Sequence, residues 1–344
     1  MNDDTTPSMT VVVCTYNRAE VLPTCLRGLT NQTIRSDIQV IVVDDGSSQD
    51  VQSVVADFDV EFIALGTNHG LSFARNAGIA RSRSPIIAFT DDDVIVPPDW
   101  CERLLRAWRE APNETRAIGG EVTVADVTSL NQRYLSRHNP LSPIDVAVAP
   151  DASFWQRLRA YVGSDSVRLQ PIRHVHSLVG ANMSFARQAL VDVGEFDPSI
   201  RFGGDEEHVC KNVRKRFGDE SILCYSSIVV AHAFDPRLRD TLRRAFRYGI
   251  ASGRTWSRDG GVPSVRPTGG LFIVSLIVAG PFSIAGAVLL ALVIPFLMWR
   301  RWVSSAWRER NPEALLYPLI ALAQELCSNV GFLVGWLAER HRDS

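Results

Sequence analysis

The sequence predicts an α/β fold with a mainly parallel sheet in residues 1–235. Short apolar runs rich in β-branched residues alternate with helical patterns over roughly the first ninety residues, which is typical of β-α-β units. Polar residues follow the predicted strands at their carboxyl ends, where parallel sheets bind ligands. A dinucleotide-binding dehydrogenase is disfavoured, because the turn after the first strand, Cys14 to Arg18, contains no glycine.

The elements can be assigned in chain order. The apolar runs that predict buried strands are 10–15, 38–43, 60–65 and 85–89. Apolar residues then recur at helical spacing from Val21 to Leu29, and we expect Asn17 to cap this helix. A further helix is expected from Leu71 to Arg81, directly after a polar turn.

The fourth predicted strand ends in three consecutive carboxylates, Asp91, Asp92 and Asp93. Such neighbours repel one another and are costly to bury unless a cation or strong donors compensate. In an extended segment Asp91 and Asp93 share one face, and Asp92 points away. Two carboxylates on one face suit Mg²⁺ or Mn²⁺ and leave coordination positions for phosphate oxygens. A solvated acidic turn is the alternative interpretation.

Composition narrows the function classes. The formal net charge of −2 gives no indication of nucleic-acid binding. Six scattered cysteines without CxxC spacing are expected to be reduced thiols rather than a zinc site or a disulfide framework. The acidic N-terminus lacks the apolar segment of a signal peptide. We therefore expect the catalytic part in the cytoplasm, at the bacterial inner membrane if the apolar tail is an anchor.

The C-terminal part is expected to associate with a membrane. Leu271–Met298 carries no charged residue and exceeds the roughly 20 residues that cross a bilayer. Pro281 and Pro295 interrupt it, so a broken or re-entrant segment and a buried helix pair stay open as alternatives. Leu315–Ala338 is a second, weaker apolar stretch.

A basic amphipathic helix is predicted between the two regions. Arg239, Arg243 and Arg247 recur on one helical stripe, which favours contact with an anionic membrane surface or with an acceptor diphosphate over a merely solvated face. The predicted organisation is a catalytic domain at 1–235, a basic connector at 236–268 and a membrane-associated tail at 269–344.

Six motifs occur in a fixed order along the first two-thirds of the chain. They are VVVCTYNR at 11–18, VVDDGS at 42–47, NHGLSFARNAGI at 68–79, FTDDDV at 89–94, GANMSF at 180–185 and GGDEEHVCKNVRKR at 203–216. Together they resemble the motifs of inverting family 2 glycosyltransferases, which have a GT-A fold and an Asp-x-Asp motif. The resemblance implies a nucleoside diphosphate sugar donor (UDP-, GDP- or dTDP-linked) and a divalent cation.

The resemblance also implies roles for individual residues. The residues expected to bind the nucleotide or the donor are Thr15, Asn17, Asp44, Arg75, Asp91, Asp92 and Asn182. Within this set Asp44 would accept hydrogen bonds from the base. Arg75, with Gly78 as a small neighbour, would reach the diphosphate or the Asp cluster, and Asn182 would contact the sugar. Asp93 and Asp91 would bind the metal, which His232 would complete.

The general base is expected in the segment Gly204-Asp205-Glu206-Glu207-His208, which departs from the usual Glu-Asp order of the family. Aligning the apolar stripe of the following helix with that of the family puts Glu206 at the position of the base, which takes the proton from an acceptor hydroxyl. A slip of one residue would make Asp205 the base. An acidic helix N-terminus favoured by the helix dipole is the structural alternative.

The expected function is metal-dependent sugar transfer, with inversion, to a lipid-linked or cell-envelope glycan. A nucleotidyltransferase is the first alternative, but it would need a glycine-rich phosphate loop that the sequence lacks. A non-catalytic relative that binds nucleotide sugars is the second, because the Glu-Asp motif is altered.

Overall fold

Residues 7–145, 170–259 and 310–340, with 283, 306 and 307, are described here from a computed structural model. The predicted apolar stretch Leu271–Met298 lies outside the described residues apart from Ser283. Residues 146–169 also lie outside the described residues; they belong to the stretch 130–175, which matches none of the six motifs and which we expect to select the acceptor.

A ten-stranded mixed sheet forms the centre of the first two-thirds of the described chain. Its strands are β1 (Met9–Thr15), β2 (Ile38–Asp44), β3 (Glu61–Ala64), β4 (Ile86–Asp91), β5 (Val94–Ile95), β6 (Ala117–Val124), β7 (Ile144–Asp145), β8 (Ile172–Ser177), β9 (Met183–Ala186) and β10 (Ile222–His232).

Helices connect and cover these strands. In chain order they are α1 (Leu22–Thr30), α2 (Val51–Val55), α3 (Leu71–Arg81), α4 (Trp100–Glu110), α5 (Leu130–Arg137), α6 (Arg187–Asp192), α7 (Asp205–Phe217), α8 (Leu238–Asp259) and α9 (Tyr317–Arg340).

The sheet is parallel where the sequence predicts it and mixed beyond that point. The order β3-β2-β1-β4 is parallel throughout. β9 then runs antiparallel to both β4 and β6, whereas β10 is parallel to β6. β1, β2 and β4 are buried along nearly their whole length, which explains why each reads as a continuous apolar run.

The predicted cap at Asn17 is wrong. Helix α1 begins at Leu22, and its N-cap position is Val21, without a side-chain hydrogen bond. Asn17 lies in the preceding loop with a positive φ of 54°, a conformation that asparagine tolerates better than most residues. Its side-chain oxygen accepts hydrogen bonds from Ser48, which ties the β1 loop to the β2 loop.

The chain divides into two compact units, Met1–Asp126 with Asn139–Phe234, and Val127–His138 with Asp235–Ser344. In the second unit, α8 packs along α9, and α5 belongs to the same unit. The connector at 236–268 and the tail at 269–344 stay predictions.

Within the second unit, α8 and α9 approach closely through glycines on both helices. A Cβ atom added at Gly249, Gly253, Gly331 or Gly335 would lie 2.1 Å from a backbone oxygen of the opposite helix. Small residues at i and i+4 allow this contact between backbones, as at many helix interfaces in membranes. Among the described residues, one helical segment, Pro312–Arg340, has the length and the apolar composition to cross a bilayer.

Gly331→Ala tests this packing. Helix propensity alone predicts that the substitution stabilises the chain, whereas the close contact predicts that it destabilises it. Replacing glycine by alanine inside a helix ordinarily stabilises by about 0.5–1 kcal/mol. At Gly331 the new Cβ would meet the Phe246 carbonyl oxygen at 2.1 Å, so we expect a lower melting temperature of the purified chain. Ala338→Gly, on the exposed side of α9, reports the ordinary propensity. A higher melting temperature for Gly331→Ala would contradict the packing.

Candidate active site

The candidate site lies at the carboxyl ends of β1, β2 and β4. Because these strands are parallel and in register, Thr15 pairs with Asp44 and Cys14 pairs with Asp91. His232 reaches the same edge from the end of β10, since it pairs with Val94 of the short strand β5 directly after the Asp triplet. The strand-end residues expected to bind a ligand are thus brought to one edge of the sheet.

Asp91, Asp93 and His232 form an acidic cluster with one imidazole. Each residue offers one ligand atom, and these atoms lie within 4.8 Å of one another. His232 Nε2 is 3.1 Å from Asp93 Oδ1, and both side chains are only 3% exposed. Among the described residues, the buried Nδ1 atom of His232 has no hydrogen-bond partner. Two carboxylates and an imidazole are a suitable ligand set for Mn²⁺ or Mg²⁺.

The central carboxylate of the triplet turns toward the β1 loop. Asp92 accepts a hydrogen bond of 2.7 Å from the Thr15 hydroxyl, and its other oxygen lies 3.4 Å from Arg18 Nη1. Burial raises the pKa of Asp92 to about 7, with Asp93 and Asp91 adding to the rise and Arg18 opposing it. Asp92 is therefore held by protein groups. Since β4 ends at Asp91, Asp92 and Asp93 lie in the turn that follows, and the alternation expected for an extended segment does not apply to them.

Asp93 is held in its charged form by two partners. Arg18 donates to Asp93 Oδ2 at 2.6 Å, and His232 lies against Oδ1. Burial alone would raise the pKa of Asp93, but the close approach of His232, together with Arg18, holds it below its usual value. Arg18 is not among the predicted site residues. Its place in the loop after β1, the strand adjacent to β4, is the feature that could have identified it.

Arg75 connects the acidic cluster to helix α7. It is buried on α3, pairs with the Asp205 carboxylate, and has Nη2 3.9 Å from Asp91 Oδ1. Its guanidinium carbon also lies 5.9 Å and 5.3 Å from the ring centroids of Phe89 and Phe196. Burial opposes its charge, but Asp205 and Asp91 outweigh this and raise the pKa of Arg75 above its usual value.

The small residue that makes room for Arg75 is Gly180 rather than the predicted Gly78. A Cβ atom at Gly180 would lie 2.4 Å from Arg75 Nη2. Gly78 instead allows α3 to pack on β1, because a Cβ atom there would meet Val12 Cγ1 at 2.4 Å. Spacing along α3 places Gly78 near Arg75 in sequence, whereas Gly180 approaches from a distant segment that spacing does not reveal.

The turn that precedes α3 is fixed by Asp45. This carboxylate accepts hydrogen bonds from the Asn68 side chain and from the backbone N–H groups of His69 and Gly70, at 2.7 to 2.9 Å. Asp44 lies one residue earlier, and its Oδ1 accepts from the Ser47 backbone N–H at 3.0 Å. Asp45 therefore orients α3, and Asp44 closes the β2 turn.

Glu206 and Asp205 begin helix α7 in different environments. Asp205 is fully buried and bound to Arg75, and its Oδ1 atom has no hydrogen-bond partner among the described residues. Glu206 is half-buried. Burial, followed by the adjacent Asp205 carboxylate, raises the pKa of Glu206 well above its usual value, and Arg75 opposes this in part. Gly204 precedes the helix with a positive φ of 86°.

Asn182 has a structural role in place of the predicted sugar contact. Its side chain is fully buried. The oxygen accepts from Trp100 Nε1 at 2.9 Å, and the amide nitrogen donates to the carbonyl oxygens of Glu121 and Ile228 at 2.9 and 3.0 Å. These bonds tie α4, β6 and β10 together beside the site. The amide is thereby committed to protein groups.

Comparison with known proteins identifies relatives of the domain that carries this site. Residues 10–187 match the sequence profile of "Glycosyl transferase family 2". Glycosyltransferase AglE of Haloferax volcanii is 34% identical over 264 residues, which cover 74% of this chain and 76% of the relative. The glucosyl-dolichyl phosphate glucuronosyltransferase of the same organism is 26% identical over 227 residues, 62% of this chain and 66% of that protein.

The fold also agrees with a solved structure. The mannosyltransferase PcManGT from Pyrobaculum calidifontis, in complex with GDP-Man and Mn²⁺, superposes with a TM-score of 0.56 at 18% identity, covering 96% of this chain and 87% of that one. At that identity the likeness bears on the GT-A fold alone. For five curated relatives including the glucuronosyltransferase, the match spans only 30% to 66% of the relative's own length.

Arg75→Met tests the buried ion pair. Removing the cation leaves the Asp205 carboxylate buried and unpaired, so we expect the free energy of unfolding to fall by about 3–5 kcal/mol. Adding Asp205→Asn to the variant should restore part of the loss, because the uncompensated charge is removed. Chemical denaturation measures both variants.

The matched control is Arg81→Met on the same helix. Arg81 is 65% exposed and pairs with Glu61, so its loss should lower stability by less than about 1 kcal/mol. Equal losses for Arg75→Met and Arg81→Met would contradict the role of the buried pair.

Proposed function

The chain belongs to glycosyl transferase family 2, and on this premise we propose that it transfers a sugar from a nucleoside diphosphate donor to a hydroxyl acceptor, with inversion and with a divalent cation. The observation that carries the proposal is the Asp91, Asp93 and His232 cluster at the ends of the parallel strands. Arg75 links this cluster to the segment that holds Glu206. Family membership favours sugar transfer over the nucleotidyl transfer considered as an alternative.

A divalent cation fits the cluster by its donor atoms. Asp91 and Asp93 supply hard carboxylate oxygens, and His232 supplies a buried ring nitrogen without a partner among the described residues. When held by these three residues, Mg²⁺ or Mn²⁺ would supply positive charge that neutralises the charge developing on the departing nucleoside diphosphate. The mannosyltransferase of the same fold was solved in complex with GDP-Man and Mn²⁺, which supports a divalent cation beside a nucleotide sugar in this fold.

The nucleotide would bind along the ends of β1 and β2. Asp44 is the candidate acceptor for the base, and Thr15 and Asn17 flank it on the neighbouring loop. Asp91, which is partly exposed, is the candidate for the ribose as well as for the cation. Asp92 would act indirectly in donor binding, because it fixes Thr15 and Arg18.

Glu206 is the best candidate for the general base. A base requires access to the acceptor hydroxyl and a pKa closer to neutrality than that of an ordinary glutamate. Glu206 is half-buried and its pKa is raised, whereas Asp205 is fully buried against Arg75. We therefore treat Asp205 as a positioning residue. One base on the acceptor side suffices for a single displacement, which inverts the anomeric centre.

The acceptor would be a lipid-linked or cell-envelope glycan at a membrane. The exposed stripe Arg239, Arg243 and Arg247 on α8 is suited to anionic headgroups. The close glycine contacts between α8 and α9 resemble helix packing in membranes. The relative named a glucosyl-dolichyl phosphate glucuronosyltransferase supports a lipid-linked acceptor by its name. We place the catalytic unit on the cytoplasmic side of the bacterial inner membrane, where sugar nucleotides are available.

Glu206→Gln tests the chemistry. The purified chain is mixed with UDP-, GDP- and dTDP-sugars and membrane lipids, with Mn²⁺ or with a chelator, and nucleoside diphosphate release is measured. We expect metal-dependent release from one donor class. Glu206→Gln should keep metal-dependent nucleotide binding and lower release by about 10²–10⁴-fold, the usual contribution of a general base. Glu207→Gln, at the exposed neighbour, is the control.

The pH profile identifies the base. Glu206 acts only when it is deprotonated, so the wild-type rate should fall as the pH decreases through its raised pKa, above the value of about 4.3 for an ordinary glutamate. Glu206→Gln should lack this acid limb. Full activity of Glu206→Gln combined with an inactive Asp205→Asn would show that Asp205 is the base. Absence of nucleotide binding with every cation would contradict sugar transfer.

Membrane association is tested by flotation with lipid vesicles. Replacing Arg239, Arg243 and Arg247 by glutamine should weaken binding to vesicles containing phosphatidylglycerol by roughly two orders of magnitude, at about 1 kcal/mol per arginine. Glutamine at the exposed Arg81, Arg83 and Arg106 of the first unit is the matched control. Flotation that is indifferent to vesicle charge and to the α8 substitutions would contradict an electrostatic role for α8.

A further inference from the structure

Arg18 already holds the position of a cation at the acidic cluster. Its Nη2 donates to Asp93 Oδ2 at 2.6 Å, and its Nη1 lies 3.4 Å from Asp92 Oδ1. The other oxygen of Asp93 faces His232 at 3.1 Å. Arg18 thus binds Oδ2 of a proposed metal ligand, whereas Oδ1 has no hydrogen-bond partner among the described residues. A cation that binds through Oδ2 must displace Arg18 or share that oxygen with it.

Arg18 is the partner that can leave. Its side chain is 43% exposed, whereas the side chains of Asp93 and His232 are each 3% exposed. It projects from the loop after β1, and its contacts with Asp92 and Asp93 go to two different carboxylates. The Arg18 contacts therefore lack the parallel, bidentate geometry that makes arginine–carboxylate pairs strong. His232 is fixed at the end of β10 by its strand pairing.

Arg75 cannot replace Arg18 in this role. It is buried, is bound to Asp205, and lies 5.9 Å and 5.3 Å from the ring centroids of Phe89 and Phe196. Its contact with the triplet is with Asp91 at 3.9 Å, not with Asp93. Among the described residues, Arg18 is thus the partly exposed arginine that pairs with Asp93, a ligand of the proposed metal.

We propose that Arg18 is an internal counterion that the metal displaces from Asp93, and that its guanidinium then binds a phosphate of the donor. This inference rests on the proposed function. A guanidinium binds phosphate oxygens well, and a phosphate coordinated near Asp93 would lie close to the released side chain. When the metal binds alone, the contact between Arg18 and Asp93 is lost and the guanidinium gains no new partner. Metal with nucleoside diphosphate offers Arg18 a new partner, so the two ligands bind cooperatively.

The experiment measures Mn²⁺ binding to the full chain without any sugar transfer. Free Mn²⁺ is followed by electron paramagnetic resonance, first alone and then with saturating UDP or GDP. Arg18→Met should bind Mn²⁺ alone more tightly than wild type, by about 5- to 150-fold, the usual range of coupling between sites. The gain in Mn²⁺ affinity on adding nucleotide should be large in wild type and small in Arg18→Met.

Two further variants control for structure and charge. Arg106→Met removes an exposed arginine paired with Glu102 at 3.2 Å, and it should leave Mn²⁺ binding unchanged. Arg18→Lys keeps the charge, so its affinity for Mn²⁺ alone should stay near that of wild type. An unchanged melting temperature establishes that each variant is folded.

The outcomes separate this inference from the proposed function. If wild type binds Mn²⁺ cooperatively with nucleotide and folded Arg18→Met binds Mn²⁺ alone no more tightly, the counterion role is overturned and the proposed function stands. The counterion role is also overturned if Arg18→Lys binds Mn²⁺ alone as tightly as Arg18→Met does. If wild type binds no Mn²⁺ even with UDP or GDP, the proposed function fails and this inference fails with it.

Discussion

Three consecutive carboxylates at the end of β4, two of them buried and one partly exposed, are the constraint on which the rest of the site depends. Asp91 faces Arg75, Asp92 is held by Thr15 and Arg18, and Asp93 lies between Arg18 and His232. Without these groups the mutual repulsion and the loss of hydration would disfavour the folded strand end. The partners come from the β1 loop, α3 and β10, so this one requirement organises much of the sheet edge.

The need to compensate these carboxylates also links the proposed cation site to Glu206, the proposed base. Arg75 can face Asp91 because Asp45 orients the start of α3, and because Gly180 leaves space for the guanidinium. Its stronger partner is Asp205, which stands next to Glu206 at the start of α7. Asp205 also raises the pKa of Glu206 by its charge, second only to burial. In the proposed mechanism, one buried arginine would therefore link the donor site to the base.

The sequence predicts the parallel half of the sheet and the cluster of strand-end residues. Buried parallel strands read as continuous apolar runs, and register brings their ends together. The sequence does not predict which atoms a polar side chain contacts. Asn17 is hydrogen-bonded to the β2 loop rather than capping α1, and Asn182 joins three elements. The contact of Arg18 with Asp93 is not predicted. These partners are distant in sequence, so no local pattern identifies them.

The proposed function depends most directly on a divalent ion bound by Asp91, Asp93 and His232. Pulsed electron paramagnetic resonance of Mn²⁺ with the nucleoside diphosphate that the chain binds detects ¹⁴N coupling when an imidazole nitrogen coordinates the ion. We expect this coupling in wild type and its loss in His232→Gln. Bound Mn²⁺ without nitrogen coupling in wild type, or with the same coupling in His232→Gln, would contradict the assignment of the metal site.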